Sequence, residues 1–222
     1  MRTPTSQLQQ YDFCVPEAQR LADLAGIRMD LESAIEYCDL HIEIDPTEAA
    51  ISPRERLRRE HTRQALCRAF LVMYGRSWGW GSGVRAGLDD SYRKRLSHGA
   101  LQLHATVKDL RDKWVAHAVN HFDDVRVGVD VEQKPDQTRS VRGVSITSHH
   151  VGGFVRDWMI KFRTLASEVL ALVQQEIAPE SERLSVLVRQ LPIDNVMSRP
   201  RVDHIALGPT CLEPRKVRKV FR

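Results

Sequence analysis

The chain has 222 residues, with 33 Lys and Arg against 29 Asp and Glu, for a net charge of +4. Its content of 42% hydrophobic and 28% charged residues is typical of a globular protein and argues against a largely disordered chain. The length suits one domain of moderate size, or one domain with an appendage. No apolar run reaches the roughly 18 residues of a membrane-spanning helix, and segment 1–10 lacks the apolar stretch of a signal peptide.

The excess positive charge lies at the C-terminal end. Residues 199–222 contain seven basic and two acidic residues, so this segment carries +5 and residues 1–198 carry −1. A basic end of this kind can bind nucleic acid or an acidic partner, or can simply keep the protein soluble. The composition therefore does not mark the folded body as a nucleic-acid-binding surface.

The four cysteines are widely separated and include no Cys-x-x-Cys pair: Cys14, Cys38, Cys67 and Cys211. Such spacing fits neither a disulfide framework nor a zinc knuckle, so we predict reduced thiols in a cytoplasmic protein that has no contact with a membrane.

Two long helices are predicted in the first third of the chain. The first begins at Pro16 and ends before Asp45-Pro46, with apolar residues at helical spacing. The second begins at the capping box Ser52-Pro53-Arg54-Glu55 and extends to about Tyr74. Five glycines in 75–87 then predict a loop, which we interpret as a connector whose tryptophans, Trp78 and Trp80, pack on the body. A phosphate cradle is the alternative, but no Walker lysine is present.

A third helix, a hairpin and a fourth long helix are predicted next. Helical periodicity extends from Asp89 to about Phe122, with one apolar stripe: Leu103, Val107, Leu110, Trp114, His117 and His121. The period then changes to two, which predicts a short β-hairpin over about 125–147. The last long helix covers about 152–177 and is predicted to stop at Pro179.

These elements predict a mainly α protein, an up-and-down bundle of about four or five helices with a short β-hairpin insertion and an irregular C-terminal tail. The predicted domains are a bundle at 1–178 and a Pro-containing basic tail at 179–222, which could contain one short helix at 182–190.

Arg111 and His117 are the candidate catalytic pair. They lie six residues apart on one predicted helix, about 120° apart around its axis and about 9 Å along it, so they do not touch within a straight helix. Either the helix distorts near its end, or the groups meet across a symmetric pair of chains.

Arg-x5-His, with the polar Asp112 after the arginine, resembles the signature of the HEPN superfamily of helical bundles. The close resemblance covers about residues 97–125, and the general layout about 15–177.

The resemblance implies a metal-independent endoribonuclease that acts as a homodimer without a cofactor, often in toxin–antitoxin or phage-defence systems with an antitoxin or other protein partner. It assigns the acid/base role to His117, the phosphate-binding role to Arg111 and an orienting role to Asp112. A catalytically silent module that binds RNA or a protein partner is the alternative. In members paired with a nucleotidyltransferase antitoxin, a tyrosine lies three residues after the histidine; Asn120 occupies that position here.

Structural interpretations of the same residues stay open. His117 can be a hydrogen-bonded core or interface histidine, and Arg111 a surface arginine paired with an acid, within a plain structural bundle that carries an interaction tail. His117 and His121, with Asp124 nearby, could instead ligate a metal, although no second ligand cluster accompanies them. Trp114 and Trp158 are interpreted as core anchors rather than base-stacking platforms.

Overall fold

A computed structural model of the chain describes residues 9–13, 15–44, 51–79, 86–115, 123–133, 137, 139–150, 153–199 and 201. The predicted mainly helical architecture with one antiparallel hairpin is confirmed. A short 3-10 turn, Pro16–Ala18, leads into α1 (Gln19–Glu43), which is followed by α2 (Pro53–Ser77), α3 (Asp90–Arg93) and α4 (His98–Leu110). Strands β1 (Asp123–Gln133) and β2 (Arg139–His150) form the hairpin, and α5 (Arg156–Arg189) and α6 (Ile193–Met197) complete the described part.

The core lies between the three long helices. Helix α1 packs against both α2 and α5 along its length. The side chains that close this core are almost completely buried, and each of the three helices supplies some of them: Leu31, Ala34, Phe70, Leu71, Tyr74, Phe162 and Val169. Because burial of each large apolar side chain contributes about 1.5–3 kcal/mol, this three-helix contact is the main source of stability. Among the described residues, no helix combines the length and the apolar character that crossing a bilayer requires.

Two serines cap helices, and the sequence predicted one of them, Ser52. The backbone N–H of Glu55 donates to Ser52 Oγ at 3.2 Å, which confirms the predicted start of α2. At α4, the Ala100 N–H donates to Ser97 Oγ, and the Ser97 N–H and hydroxyl both donate to the carboxylate of Glu168 on α5, at 2.6 and 3.0 Å. The cap of α4 is therefore also a tertiary contact that attaches this short helix to α5.

We expect Ser97→Ala to destabilise the protein more than Ser52→Ala. An N-cap serine is worth about 1 kcal/mol, and Ser97 in addition donates a hydrogen bond to a carboxylate, so the expected losses are about 2 and about 1 kcal/mol respectively. Urea unfolding of the two variants measures both values. Equal losses would contradict the coupling of α4 to α5 through Glu168.

The long C-terminal helix corrects one prediction. Helix α5 does not stop at Pro179 but continues to Arg189, so the predicted helix end at Ile177 is wrong and the domain boundary predicted at 178 falls inside a helix. A proline inside a helix removes one hydrogen bond and costs about 3 kcal/mol. Contacts beyond it stabilise the continued helix: Leu184 is buried, and the Arg183 guanidinium donates to the Glu17 carbonyl at 2.7 Å. The predicted short helix at 182–190 is the end of α5.

The β-hairpin confirms the predicted period-two segment. Its strands are 11 and 12 residues long and pair in register, with Val127 opposite Ile146 and Val129 opposite Val144. The register shifts once, between Asp130 and Val131. Neither strand forms a contact with a helix comparable to those among α1, α2, α4 and α5 within the described part of the chain.

Candidate functional site

Helix α4 widens into a π-helical turn at the predicted site. The turn comprises Arg111–Val115 and follows directly on the last α-helical residue, Leu110. Val107 before the turn and Trp114 within it are both buried, so the body holds the segment on either side of Arg111. Single π-helical turns inside α-helices are rare and occur frequently at functional sites. The helix is therefore distorted from Arg111 to Val115.

One carboxylate lies between two cations at this turn. Arg111 Nη1 donates to Asp112 Oδ1 at 2.8 Å, and Lys108 Nζ donates to Asp112 Oδ2 at the same distance. These two hydrogen bonds hold the pKa of Asp112 below its ordinary value, so the carboxylate is ionised at neutral pH. The side chains of Arg111 and Asp112 are 26% and 34% exposed, so both are partly in contact with solvent. The charges of these three side chains sum to +1.

Trp114 anchors the turn and brings a further cation close to it. Its ring is 6% exposed and meets Phe154 edge-to-face, with ring centroids 5.3 Å apart. The guanidinium carbon of Arg68, an exposed residue of α2, lies 5.2 Å from the Trp114 ring centroid, which is within cation–π range. No pattern within α2 distinguishes Arg68 from the other arginines of that helix. Only the packing of α2 against the π-helical turn places it near the candidate site.

The partner residue of the motif lies outside the described residues. His117, Asn120 and His121 belong to segment 116–122, so the structure supplies no distance between Arg111 and His117 and does not test the metal alternative. Among the described residues, no group of three or more His, Cys, Asp or Glu side chains is placed to hold a metal ion.

The two tryptophans interpreted as core anchors differ in burial. Trp114 is buried, whereas Trp158 is 38% exposed. The Trp158 ring packs on Phe162, and Lys161 Nζ lies 5.0 Å from the centroid of the Trp158 ring.

His104 is a second histidine of α4, and it is structural. Its Nδ1 lies 2.9 Å from the Tyr74 hydroxyl, and its ring centroid is 4.2 Å from that of Trp78. Burial, assisted by the nearby charges of Arg93 and Lys108, lowers its pKa to about 4. A neutral, enclosed imidazole that is already in contact with a phenol is no candidate for proton exchange with a substrate. The buried Trp78 confirms the predicted packing of that tryptophan, whereas Trp80 lies outside the described residues.

The described part of the site therefore consists of an oriented arginine, its carboxylate partner, a flanking lysine and the Arg68–Trp114 contact. Such a group can bind a phosphate and stabilise negative charge that develops on it. This set contains no histidine, so it supplies no acid/base group whose ordinary pKa lies near 7, and proton transfer must come from a group outside it. Comparison of the chain with protein-family models, with curated proteins and with solved structures gives no match.

Proposed function

We propose that the protein is a metal-independent endoribonuclease of HEPN type. One observation carries the proposal: the guanidinium of Arg111 is held by Asp112 at the point where α4 widens into a π-helical turn. Arginine binds phosphate oxygens through a planar, permanently charged fork, and an aspartate bound to one terminal nitrogen of that fork restricts its orientation before substrate arrives. The Arg-x5-His spacing supports the same function.

The proposed reaction requires one proton carrier and one fixed cation. His117 removes the proton from an RNA 2′-hydroxyl, and the resulting oxygen attacks the adjacent phosphorus. The bond from phosphorus to the 5′-oxygen breaks, and that oxygen takes up a proton. The products are a 2′,3′-cyclic phosphate and a 5′-hydroxyl. Arg111 stabilises the negative charge that develops on the phosphate oxygens, and Asp112 orients Arg111.

The cations around the turn support RNA as the substrate. Lys108 contacts the same carboxylate as Arg111, and Arg68 lies over Trp114, so three cations contact residues of the π-helical turn or belong to it. Neutralisation of phosphates dominates protein–RNA affinity. The basic segment 202–222, which lies outside the described residues, would add to it. The HEPN resemblance further suggests a cytoplasmic homodimer in a toxin–antitoxin or phage-defence system, with an antitoxin or another protein as partner.

We expect the wild-type protein to cleave labelled RNA in the presence of a chelator. His117→Ala and Arg111→Ala should each reduce the rate by about 10²–10³-fold, the usual cost of losing an acid/base group or an electrostatic stabiliser. Arg111→Lys keeps the charge but loses the bidentate fork, so it should recover only a small part of the rate.

Lys113→Ala is the matched control for this assay. Lys113 belongs to the same π-helical turn but pairs with Asp109, at 3.2 Å, so its loss should reduce cleavage less than threefold through non-specific charge. Absence of wild-type cleavage would overturn the nuclease proposal, as would equal rates for the wild type and His117→Ala.

The second candidate function is a catalytically silent module that binds RNA or a protein partner. The ion pair of Arg111 with Asp112 favours it, since a substrate phosphate has to compete with a carboxylate already in place. This alternative predicts RNA binding without cleavage, reduced by Arg111→Ala and unaffected by His117→Ala.

A further inference from the structure

The β-hairpin presents one uniformly apolar face to solvent. Six β-branched residues form it, and we call this set the valine face: Val127, Val129, Val131, Val141, Val144 and Ile146. Each of them is between 56% and 73% exposed. They are paired across the strands, Val127 with Ile146, Val129 with Val144 and Val131 with Val141, so they form three contiguous rows on one side of the sheet.

A β-bulge brings the last row onto this face. On β2, Val141 and Val144 are three residues apart, which would place them on opposite sides of a regular strand. The register shift between Asp130 and Val131 leaves Arg142 as the additional residue of β2, so Val141 pairs with Val131 on the same side as Val144. The irregularity thus completes the valine face.

The opposite face of the hairpin is polar and internally satisfied. The Arg142 guanidinium donates two hydrogen bonds to the Glu132 carboxylate, each of 2.7 Å, and Ser145 Oγ donates to Asp130 Oδ1 at 2.9 Å. A sheet with one apolar and one polar face is the pattern of a sheet that covers a core on one side. An isolated two-stranded hairpin is marginally stable in water, and no described helix covers the valine face.

We infer that the valine face is a self-association surface, on which the valine face of a second copy of the chain packs. The face displays no charged and no hydrogen-bonding side chain, so it has no chemical feature that selects a partner other than an apolar sheet. A second hairpin is such a sheet, and two copies meet there without repulsion between like charges. Packed sheets lie about 10 Å apart with interdigitating side chains, a spacing that Val and Ile fill.

The three rows are also compatible with two-fold symmetry. The outer rows, Val127 with Ile146 and Val131 with Val141, differ by one methylene group and lie on either side of the central Val129–Val144 row. An axis between the two sheets, whether along the strands or across them, therefore places the central row of one copy over the central row of the other. This self-complementarity is what a two-fold interface requires.

The area agrees with the apolar centre of a dimer interface. With roughly 60–120 Å² of side chain per Val or Ile, about two thirds of it exposed, the valine face offers roughly 250–500 Å² per copy. A standard interface buries about 800 Å² per partner, with an apolar centre and a polar rim. The valine face supplies about half of that area, so we expect a dimer that dissociates on dilution. The HEPN resemblance also implies a homodimer; this inference adds the surface through which two copies associate, and it does not depend on RNA cleavage.

The test measures molar mass in solution for the whole chain, between about 1 and 100 μM. The wild type should change from monomer to dimer over this range. Val144→Lys places a charge in the central row and should raise the dissociation constant at least tenfold. Ser140→Lys is the matched control, because it adds the same charge to the same strand on the polar side, opposite Glu132, and should leave the dissociation constant within twofold. Circular dichroism establishes that both variants are folded.

A cross-linking measurement identifies the surface directly. Val129→Cys should give a covalent dimer with a bifunctional thiol reagent whose linker spans about 10 Å, the spacing of packed sheets, and the wild type, with its own cysteines, should not. A wild type that remains monomeric at 100 μM would overturn the inference. So would a dimer that Val144→Lys leaves intact and that Val129→Cys does not cross-link. RNA cleavage enters neither measurement, so failure here is distinguishable from failure of the nuclease proposal.

Discussion

Acidification from pH 7 to pH 4.5 is expected to reduce the free energy of unfolding by about 5 kcal/mol, because two histidines are buried in the neutral form. His41 on α1 is 1% exposed, and burial together with the charge of Arg63 lowers its pKa to about 4. His104 on α4 is 6% exposed, with its pKa also lowered to about 4, by burial and by Arg93 and Lys108. Both pKa values lie well below the 6.5 expected of an unfolded chain.

The sign of the effect follows from proton uptake. Below pH 6.5 the unfolded chain binds protons at both histidines while the folded protein does not, so stability falls as pH decreases, until about pH 4. Each histidine contributes up to about 1.4 kcal/mol per pH unit in this window. The carboxylates with lowered pKa values, such as Glu176 and Glu180, act in the same direction but only below their ordinary value of about 4.5. The window above pH 4.5 therefore reports the histidines.

His41→Leu separates this cause from a general effect of acid. Within the described part of the chain only the backbone of Phe154 is placed to hydrogen-bond His41, so leucine removes the titrating group and leaves at most one backbone group unsatisfied. We expect the variant to lose about half of the pH dependence in urea unfolding between pH 7 and 4.5. His61→Leu, at an exposed position of α2, is the matched control. A flat stability profile in the wild type would contradict the neutral burial of both histidines.

The sequence was sufficient to predict the helices because their signals are local. The capping box at Ser52 and the apolar period of the first helix determine α1 and α2 directly. Pro179 misled the prediction, since the local cost of a proline is visible in a sequence whereas the compensating burial of Leu184 depends on the tertiary arrangement. The break between α3 and α4 at 94–97 was also missed, because Ser97 acts through Glu168, 71 residues away.

The candidate site also has a part that the sequence predicts and a part that it does not. Arg111 and Asp112 are recognisable from spacing, and the structure places them in contact. The π-helical turn and the approach of Arg68 to Trp114 arise from packing between α2 and the end of α4, for which the sequence has no period or motif. The valine face was only partly predictable. The alternation of apolar residues in the sequence indicated its residues, but the bulge that aligns Val141 with Val144 becomes visible only in the register of the strands.

Phe162→Ala is expected to destabilise the protein by about 4 kcal/mol, within the range observed when a buried phenylalanine is truncated. Phe162 is completely buried and lies parallel to Phe70, with ring centroids 5.2 Å apart. It also meets Phe154 edge-to-face, at 5.3 Å. Each aromatic pair adds about 0.5–1.5 kcal/mol to the energy of area burial, so the variant loses contacts as well as volume. Urea unfolding at pH 7 measures the loss.

Two further variants show whether the loss of stability depends on the position of the substitution or on the volume removed. Phe162→Leu leaves a smaller cavity and should cost about 1–2 kcal/mol, whereas Ile160→Ala, two residues away at a 40% exposed position, should cost roughly 1 kcal/mol or less.

Phe162 contacts Phe154, and Phe154 contacts Trp114 in the π-helical turn, so aromatic contacts connect the core to the segment that carries Arg111. Truncation of Phe162 should therefore also weaken the proposed RNA cleavage under conditions in which the variant is folded, and Ile160→Ala should not. Equal cleavage by these two variants would show that the core stabilises the helices without positioning the turn.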